Sequence, residues 1–313
     1  MNTIFEVNYA AFSIFASLLI TEIMGAVVLL VAWPAKEKVL DYLVPIWEIT
    51  GTFGAFWVVT GDFAYPGLLV PVASIFTPLL IAFLILWVAR GSAIAFAEFI
   101  TKRAWLDEAK LYRAYSVATI LLGMVVLVLL SSLVGGQGVD LTSGSFSIST
   151  WVTPGSIVFV IGTLLLIVGL APVFFDLQAL RKLVLPLAVL GVALSVLSYF
   201  LMSSELLTEW MLVPVLLTLA PGILYALPQT SKVVANKAVF LLVLCIIIFS
   251  LQPLVYPKAI GLAIPIDAVT TAGAMADAFL SITAIGGLLL AVMLLIYIRV
   301  AAKGPSGPDL PSP

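Results

Sequence analysis

Glu22, Glu48 and Arg90 stand inside the most apolar stretches of a 313-residue chain, in the strings LLITEIMGA, PIWEITGTFGAFW and LILWVARGSA. An ionisable side chain at membrane depth costs about 2.5–3.5 kcal/mol even on insertion scales, so each one needs a partner or a purpose. A carboxyl in that setting is either protonated or paired inside the helix bundle, and a protonatable group facing a cavity is what a proton relay requires. Glu22 is read as about fifteen residues into the first apolar run, near mid-membrane, and Glu48 as about two turns in from the cytoplasmic end of the second. Arg90 lies near the cytoplasmic end of the third run, where it either snorkels to the interface or pairs with Glu48 at similar depth. Glu48 is then either an acid balanced by Arg90 or backbone, or an entrance carboxylate. With Glu22 deeper and Glu98 at the mouth, the three acids outline a two-step path for protons entering from inside. Asp62, Asp176, Glu205 and Glu209 fall at helix ends or in outer loops and are read as ordinary solvated acids.

The composition demands the elements that would hold these groups. Hydrophobic residues make up 63% of the chain and charged residues 10%, with a mean hydropathy of +1.25. A soluble domain carries about 25% charged residues, so this chain cannot clothe a water-soluble globule. It is expected to be an all-α integral membrane protein. Basic residues are thinly spread, which argues against nucleic acid as a partner. Cys245 is the only cysteine, which excludes disulfides and cysteine metal clusters, and there is no histidine to ligate haem, copper or non-haem iron. No metal site and no catalytic residue are therefore expected in this chain, and redox chemistry falls to a partner.

A spanning helix needs about 20 apolar residues. Nine windows qualify, roughly 8–33, 42–62, 66–97, 113–135, 155–175, 181–203, 208–228, 235–254 and 273–300. Lys36 and Lys38, then Lys102, Arg103, Lys110 and Arg113, then Arg181 and Lys182, Lys232 and Lys237, and Arg299 and Lys303 all fall in alternate connections. The other connections carry no Lys or Arg except Lys258. By the positive-inside rule the N-terminus is outside and the C-terminus cytoplasmic, which about nine transmembrane helices satisfy and eight or ten do not. The first segment lacks a basic leader region and a small-residue cleavage site, and is read as a retained span.

Residues 99–112, FITKRAWLDEAKLY, read as an amphipathic helix on the cytoplasmic surface. Of two long outer segments, GQGVDLTSGSFSISTWVTP is polar enough to form a small cap. LQPLVYPKAIGLAIPIDAVTTAG is apolar with three Pro and is expected along the outer interface or against a partner. Residues 1–303 form one polytopic domain, with a first bundle over about 8–135 and a second over about 155–300, and the Pro- and Gly-rich tail 304–313 is expected to be disordered. No soluble domain, Walker loop or dinucleotide fingerprint is present.

Residues 45–98 resemble the corresponding segment of subunit II of the cytochrome bd-type quinol oxidases. The resemblance rests on Pro45, Trp47 and Glu48 (Pro-x-Trp-acid), then Pro66, then Arg90 followed by Gly91, with the family's spacing and no gaps. Upstream, Thr21-Glu22 is similar to the family's Thr-Asp in the first helix. The chain departs from the family in having Glu at both acidic positions, Ile23, Met24 and Gly25 in place of Gly-Phe-Asp, and Thr50 in place of Asn. Outside this stretch the match is only a run of membrane helices.

The resemblance implies eight or nine spans in two four-helix bundles and a haem-free, non-catalytic subunit of a cell-membrane quinol oxidase in the respiratory chain. The haems and the quinol site would belong to subunit I, against which this chain would pack in the lipid. Glu48, Glu22 and Glu98 would line a cytoplasmic proton path, supported by Trp47 and Arg90. A structural quinone or lipid between the subunits is also compatible, though no residue here identifies its site. Two other readings stay open: a quinone-reactive membrane anchor of an iron–sulfur or molybdenum enzyme, and a secondary transporter. The second expects paired broken helices in two repeats, and only Pro214 with Pro221 answer to that.

Overall fold

The computed structural model describes residues 2–100, 107–203, 206, 209–256, 258–259 and 263–303. Among these, nine helices are long and apolar enough to cross a membrane, as the hydropathy windows require. They are α1 (Thr3–Val31), α2 (Lys36–Ala64), α3 (Thr77–Phe99), α4 (Glu108–Gly135), α5 (Pro154–Phe174), α6 (Arg181–Met202), α7 (Leu212–Ala226), α8 (Lys237–Phe249) and α9 (Ala274–Lys303), with α7 and α8 reaching spanning length only together with the 3-10 turns Glu209–Met211 and Gln252–Leu254. The strands among the described residues form two short antiparallel ribbons, Val139–Asp140 with Ser145–Phe146 and Lys258–Ala259 with Ile264–Pro265. The architecture is all-α, and the tail 304–313 lies outside the described residues.

Several boundaries differ from the expected windows, and three of the differences have a local reason. The run 66–97 is two helices, Leu69–Ile75 and α3, parted at Phe76. Pro78 sits in the first turn of α3, where its missing N–H is harmless; inside a continuous helix it would remove a hydrogen bond. α1 starts at Thr3 instead of residue 8, because the Asn2 side chain accepts from Ile4 N at 3.1 Å and caps a first turn too polar for a hydropathy window. The stretch 99–112 is not one surface helix as far as it is described: Phe99 ends α3, and residues 108–112 are the first turns of α4. Asp107 caps α4, accepting from Lys110 N at 2.7 Å and pairing with Lys110 Nζ at 3.2 Å. That backbone bond first, and then the ammonium, hold the Asp107 carboxyl below the usual range. The cap is therefore complete above the ordinary carboxylate range and is lost as pH falls through the lowered value.

α1 is the central element. It packs on α2, α4, α5, α8 and α9, and one hydrophobic core runs from Leu18, Leu43 and Tyr115 to Phe174 and Phe240. Lipid association gives no hydrophobic push between membrane helices, so close approach depends on small residues. The closest pair, α5 and α6, shows how. Gly155, Gly162 and Gly169 recur every seven residues on α5. A Cβ on them would lie 3.2 Å from Met202 N, 2.9 Å from Ser195 N and 3.1 Å from Ala188 N, a single antiparallel register along α6. Backbone cannot step aside as a side chain can. Gly162→Leu is therefore expected to part the two helices at a cost of at least about 1–3 kcal/mol, read as a lower unfolding midpoint in detergent; an unchanged midpoint would refute the packing.

The polar segment 136–154 forms a small cap: the first ribbon leads into Ile148–Trp151, and Trp151 Nε1 donates to Ser131 Oγ at 2.8 Å. The apolar one, where described, folds onto this chain's own helix ends. The Phe5 and Tyr256 rings meet at a tilt with centroids 4.9 Å apart, Asn2 Nδ2 donates to Asp267 at 2.9 Å, and Thr271 N donates to Ala64 O. At the opposite, basic side Asp176 is a tie and not a merely solvated acid. It takes a positive φ of 49°, accepts from Tyr225 Oη and Gln178 through its carboxylate, and accepts from Lys38 Nζ through its carbonyl. Three elements are thereby joined where α5 ends. Asp62 and Glu209 are exposed, as expected, while Glu205 lies outside the described residues.

Candidate functional site

Glu48 and its neighbours share one face of α2. Trp47, Glu48, Gly51, Thr52 and Ala55 follow the helical repeat, and Trp87, Arg90 and Gly91 do the same on α3. Together they line an open cleft of ≈ 560 Å³. Two glycines make room for two indoles crosswise: a Cβ on Gly51 would lie 3.3 Å from the Trp87 ring, and one on Gly91 3.7 Å from the Trp47 ring. The Trp87 ring in turn carries the Arg90 guanidinium 4.0 Å above its centroid. Such stacking holds a planar cation in place where it is short of water.

Arg90 forms a buried ion pair with Glu22 of α1, their side chains 2% and 0% exposed. This corrects the expectation that pairs Arg90 with Glu48 or sends it to the interface. Among the described residues Glu48 makes no ion pair, and it is exposed on the cleft. The depth order changes too. Glu22 lies nine residues from the end of α1 and Arg90 nine from the end of α3, so both stand about 13 Å from the basic side. Glu48, twelve residues into α2, is about 18 Å from its start. Glu22 is thus not the deeper acid. The three groups run sideways, from exposed Glu48 through Arg90 to buried Glu22.

Glu98 is the next-to-last residue of α3, half-buried, and accepts a hydrogen bond from Tyr112 Oη of α4. It is eight residues from Arg90, about 12 Å along the helix, and therefore outside the cleft.

Around Glu22 the structure gathers residues that hydropathy passes over. The hydroxyls of Thr50 and Tyr115 face the carboxyl, and Thr21 next to it shares a 2.7 Å hydrogen bond with Tyr42 Oη. Thr50 itself donates to Ile46 O at 3.2 Å. Tyr115, Ser116 and Thr119 of α4 are fully buried. Their signal in the sequence was a pair of polar residues four apart, Tyr115 and Thr119, in an otherwise apolar run.

Chemically, two carboxylates and one guanidinium carry a net charge of −1 when all are ionised and zero when one proton is bound. Such a cluster can take up and release a single proton across neutrality. Arg90 cannot carry the proton, because a guanidinium does not deprotonate in proteins, but it touches both the cleft and Glu22. Comparison with protein-family models and with curated proteins found no match to this chain.

Proposed function

We propose that this chain is the haem-free supporting subunit of a membrane-bound quinol:oxygen oxidoreductase of the cell membrane, and that the Glu48 cleft takes up protons for it. The observation that carries this reading is an exposed carboxylate at membrane depth, backed by a fully buried Arg90–Glu22 pair. Lipid does not tolerate a bare carboxylate there, so the face bearing Glu48 is read as covered by a partner subunit that leaves the cleft wet. The apolar face of α3 around it, with Ile81, Leu84, Ile85 and Val88 exposed, fits the same role. The residues of the oxidase resemblance, Trp47, Glu48, Arg90 and Gly91, are the ones that meet in the cleft, and Glu22 joins them through Arg90.

In this reading the N-terminus is outside, the basic side faces the cytoplasm, and α1–α4 and α5–α8 make the two bundles with α9 alongside. Glu48 accepts a proton from water in the cleft. Glu22 accepts one only as it releases Arg90, whose guanidinium then has Glu48 as its remaining carboxylate. Haem and quinol stay with the partner, which supplies the oxygen reduction.

Purification of the full chain under native conditions tests the assignment. A haem-bearing membrane subunit is expected to accompany it, while this polypeptide separated from that partner shows no Soret band. Recovery with a soluble iron–sulfur or molybdenum subunit instead, or stoichiometric haem on this chain alone, contradicts the reading.

A further inference from the structure

We propose that a small cluster of buried water molecules sits between α1 and α4, held by the Glu22 carboxyl and the hydroxyls of Tyr115, Ser116 and Thr119. Its use as the next station for the proton rests on the function proposed above; the water site itself rests on geometry alone. All four side chains are fully buried. Glu22 Oε1, Tyr115 Oη, Ser116 Oγ and Thr119 Oγ1 make no well-formed hydrogen bond among the described residues, although Tyr115 Oη approaches both the Glu22 carboxyl and the Thr119 hydroxyl. More than about 90% of buried polar atoms in proteins are paired, so four orphans on one face of contact are a demand for a missing partner.

The behaviour of the other hydroxyls sharpens the point. A serine or threonine inside an apolar helix normally donates to its own helix three or four residues back. Ser13, Ser17, Thr21, Thr50, Thr60, Ser131, Ser132, Ser198 and Thr218 all do so. Ser116 and Thr119 do not, and neither do Ser195 of α6 and Thr283 of α9, but only Ser116 and Thr119 share a turn of helix with Tyr115, which faces a buried carboxyl. Their hydroxyls, three residues apart, lie at the level where Tyr115 faces Glu22 and approaches Thr119. One turn farther on, Ile23 of α1 fills the notch at Gly123, where a Cβ would come within 2.6 Å, so this is the stretch along which α1 and α4 are in contact.

Water matches the chemistry of the four groups. A buried water makes two to four hydrogen bonds. The carboxylate oxygen only accepts, whereas each hydroxyl both donates and accepts, so water can bridge all four without leaving a donor or acceptor idle. Such a cluster would join Glu22 to α4 and extend the line of Glu48, Arg90 and Glu22 by one further step.

The test uses the native complex and infrared difference spectra between acidic and alkaline pH, recorded in H₂¹⁶O and H₂¹⁸O. The wild type is expected to show an isotope-shifted water O–H band that is lost in Thr119→Val and kept in Thr119→Ser. Thr119→Val is also expected to lower the thermal midpoint, since it strands the waters. A dry site gives the reverse: no isotope-sensitive band, and a midpoint raised by removal of an orphan hydroxyl. Either a band absent from the wild type or one that survives Thr119→Val overturns the proposal. Neither readout depends on turnover, so failure of the oxidase assignment would leave this result standing and vice versa.

Discussion

Arg90→Leu is expected to destabilise the chain by about 3–5 kcal/mol, the cost of leaving a buried charge without its partner. Glu22 is fully enclosed, its Oε1 already makes no well-formed hydrogen bond, and Arg90 is its ion-pair partner. Leucine also abandons the stack on Trp87, which adds the lost cation–π contact to the lost pair. The effect belongs to the pair and not to the volume of the arginine. Glu22→Met combined with Arg90→Leu should therefore recover most of the loss, because replacing both members of a buried pair by apolar residues is often neutral. Thermal or denaturant unfolding of the single and double variants in detergent reads both values. A single variant as stable as the wild type would mean that the pair does not exist in the folded chain.

The nine spans were legible because an apolar run of about 20 residues has few other uses. Their ends were less so. Hydropathy averages over a window, and so it missed the Asn2 cap that starts α1 and bridged the break at Phe76 that Pro78 makes cheap. Those shifts matter for the site: with α1 starting at Thr3 and ending at Val31, Glu22 moves out of the middle and level with Arg90. The sequence put Glu48 and Arg90 at similar depth, and the structure brings both, with Trp47, to one cleft. It could not assign the ion pair, which depends on how α1, α2 and α3 are rotated about their axes. Tyr115, Ser116 and Thr119 carry no charge and sit in a run read only for its hydropathy. Asp176 looked ordinary because a positive φ leaves no trace in composition.

Glu48→Gln carries the largest functional expectation. Glutamine keeps the size of the side chain in a cleft that is already open, so folding and assembly should be spared. It removes the one group on the cleft that can accept a proton from water and pass it on, since the remaining lining side chains are indoles, a hydroxyl, small residues and a guanidinium. Loss of a positioned acid–base group typically slows the step it serves by about 10²–10⁴-fold, and oxygen consumption should fall until proton entry limits it. Glu48→Asp, which keeps the carboxyl, should fall much less. The measurement is quinol-driven oxygen consumption by the assembled Glu48→Gln complex, with its haem absorption spectrum recorded on the same sample. Strongly slowed turnover with an unaltered haem spectrum is the predicted result; wild-type turnover would contradict a proton path through this cleft.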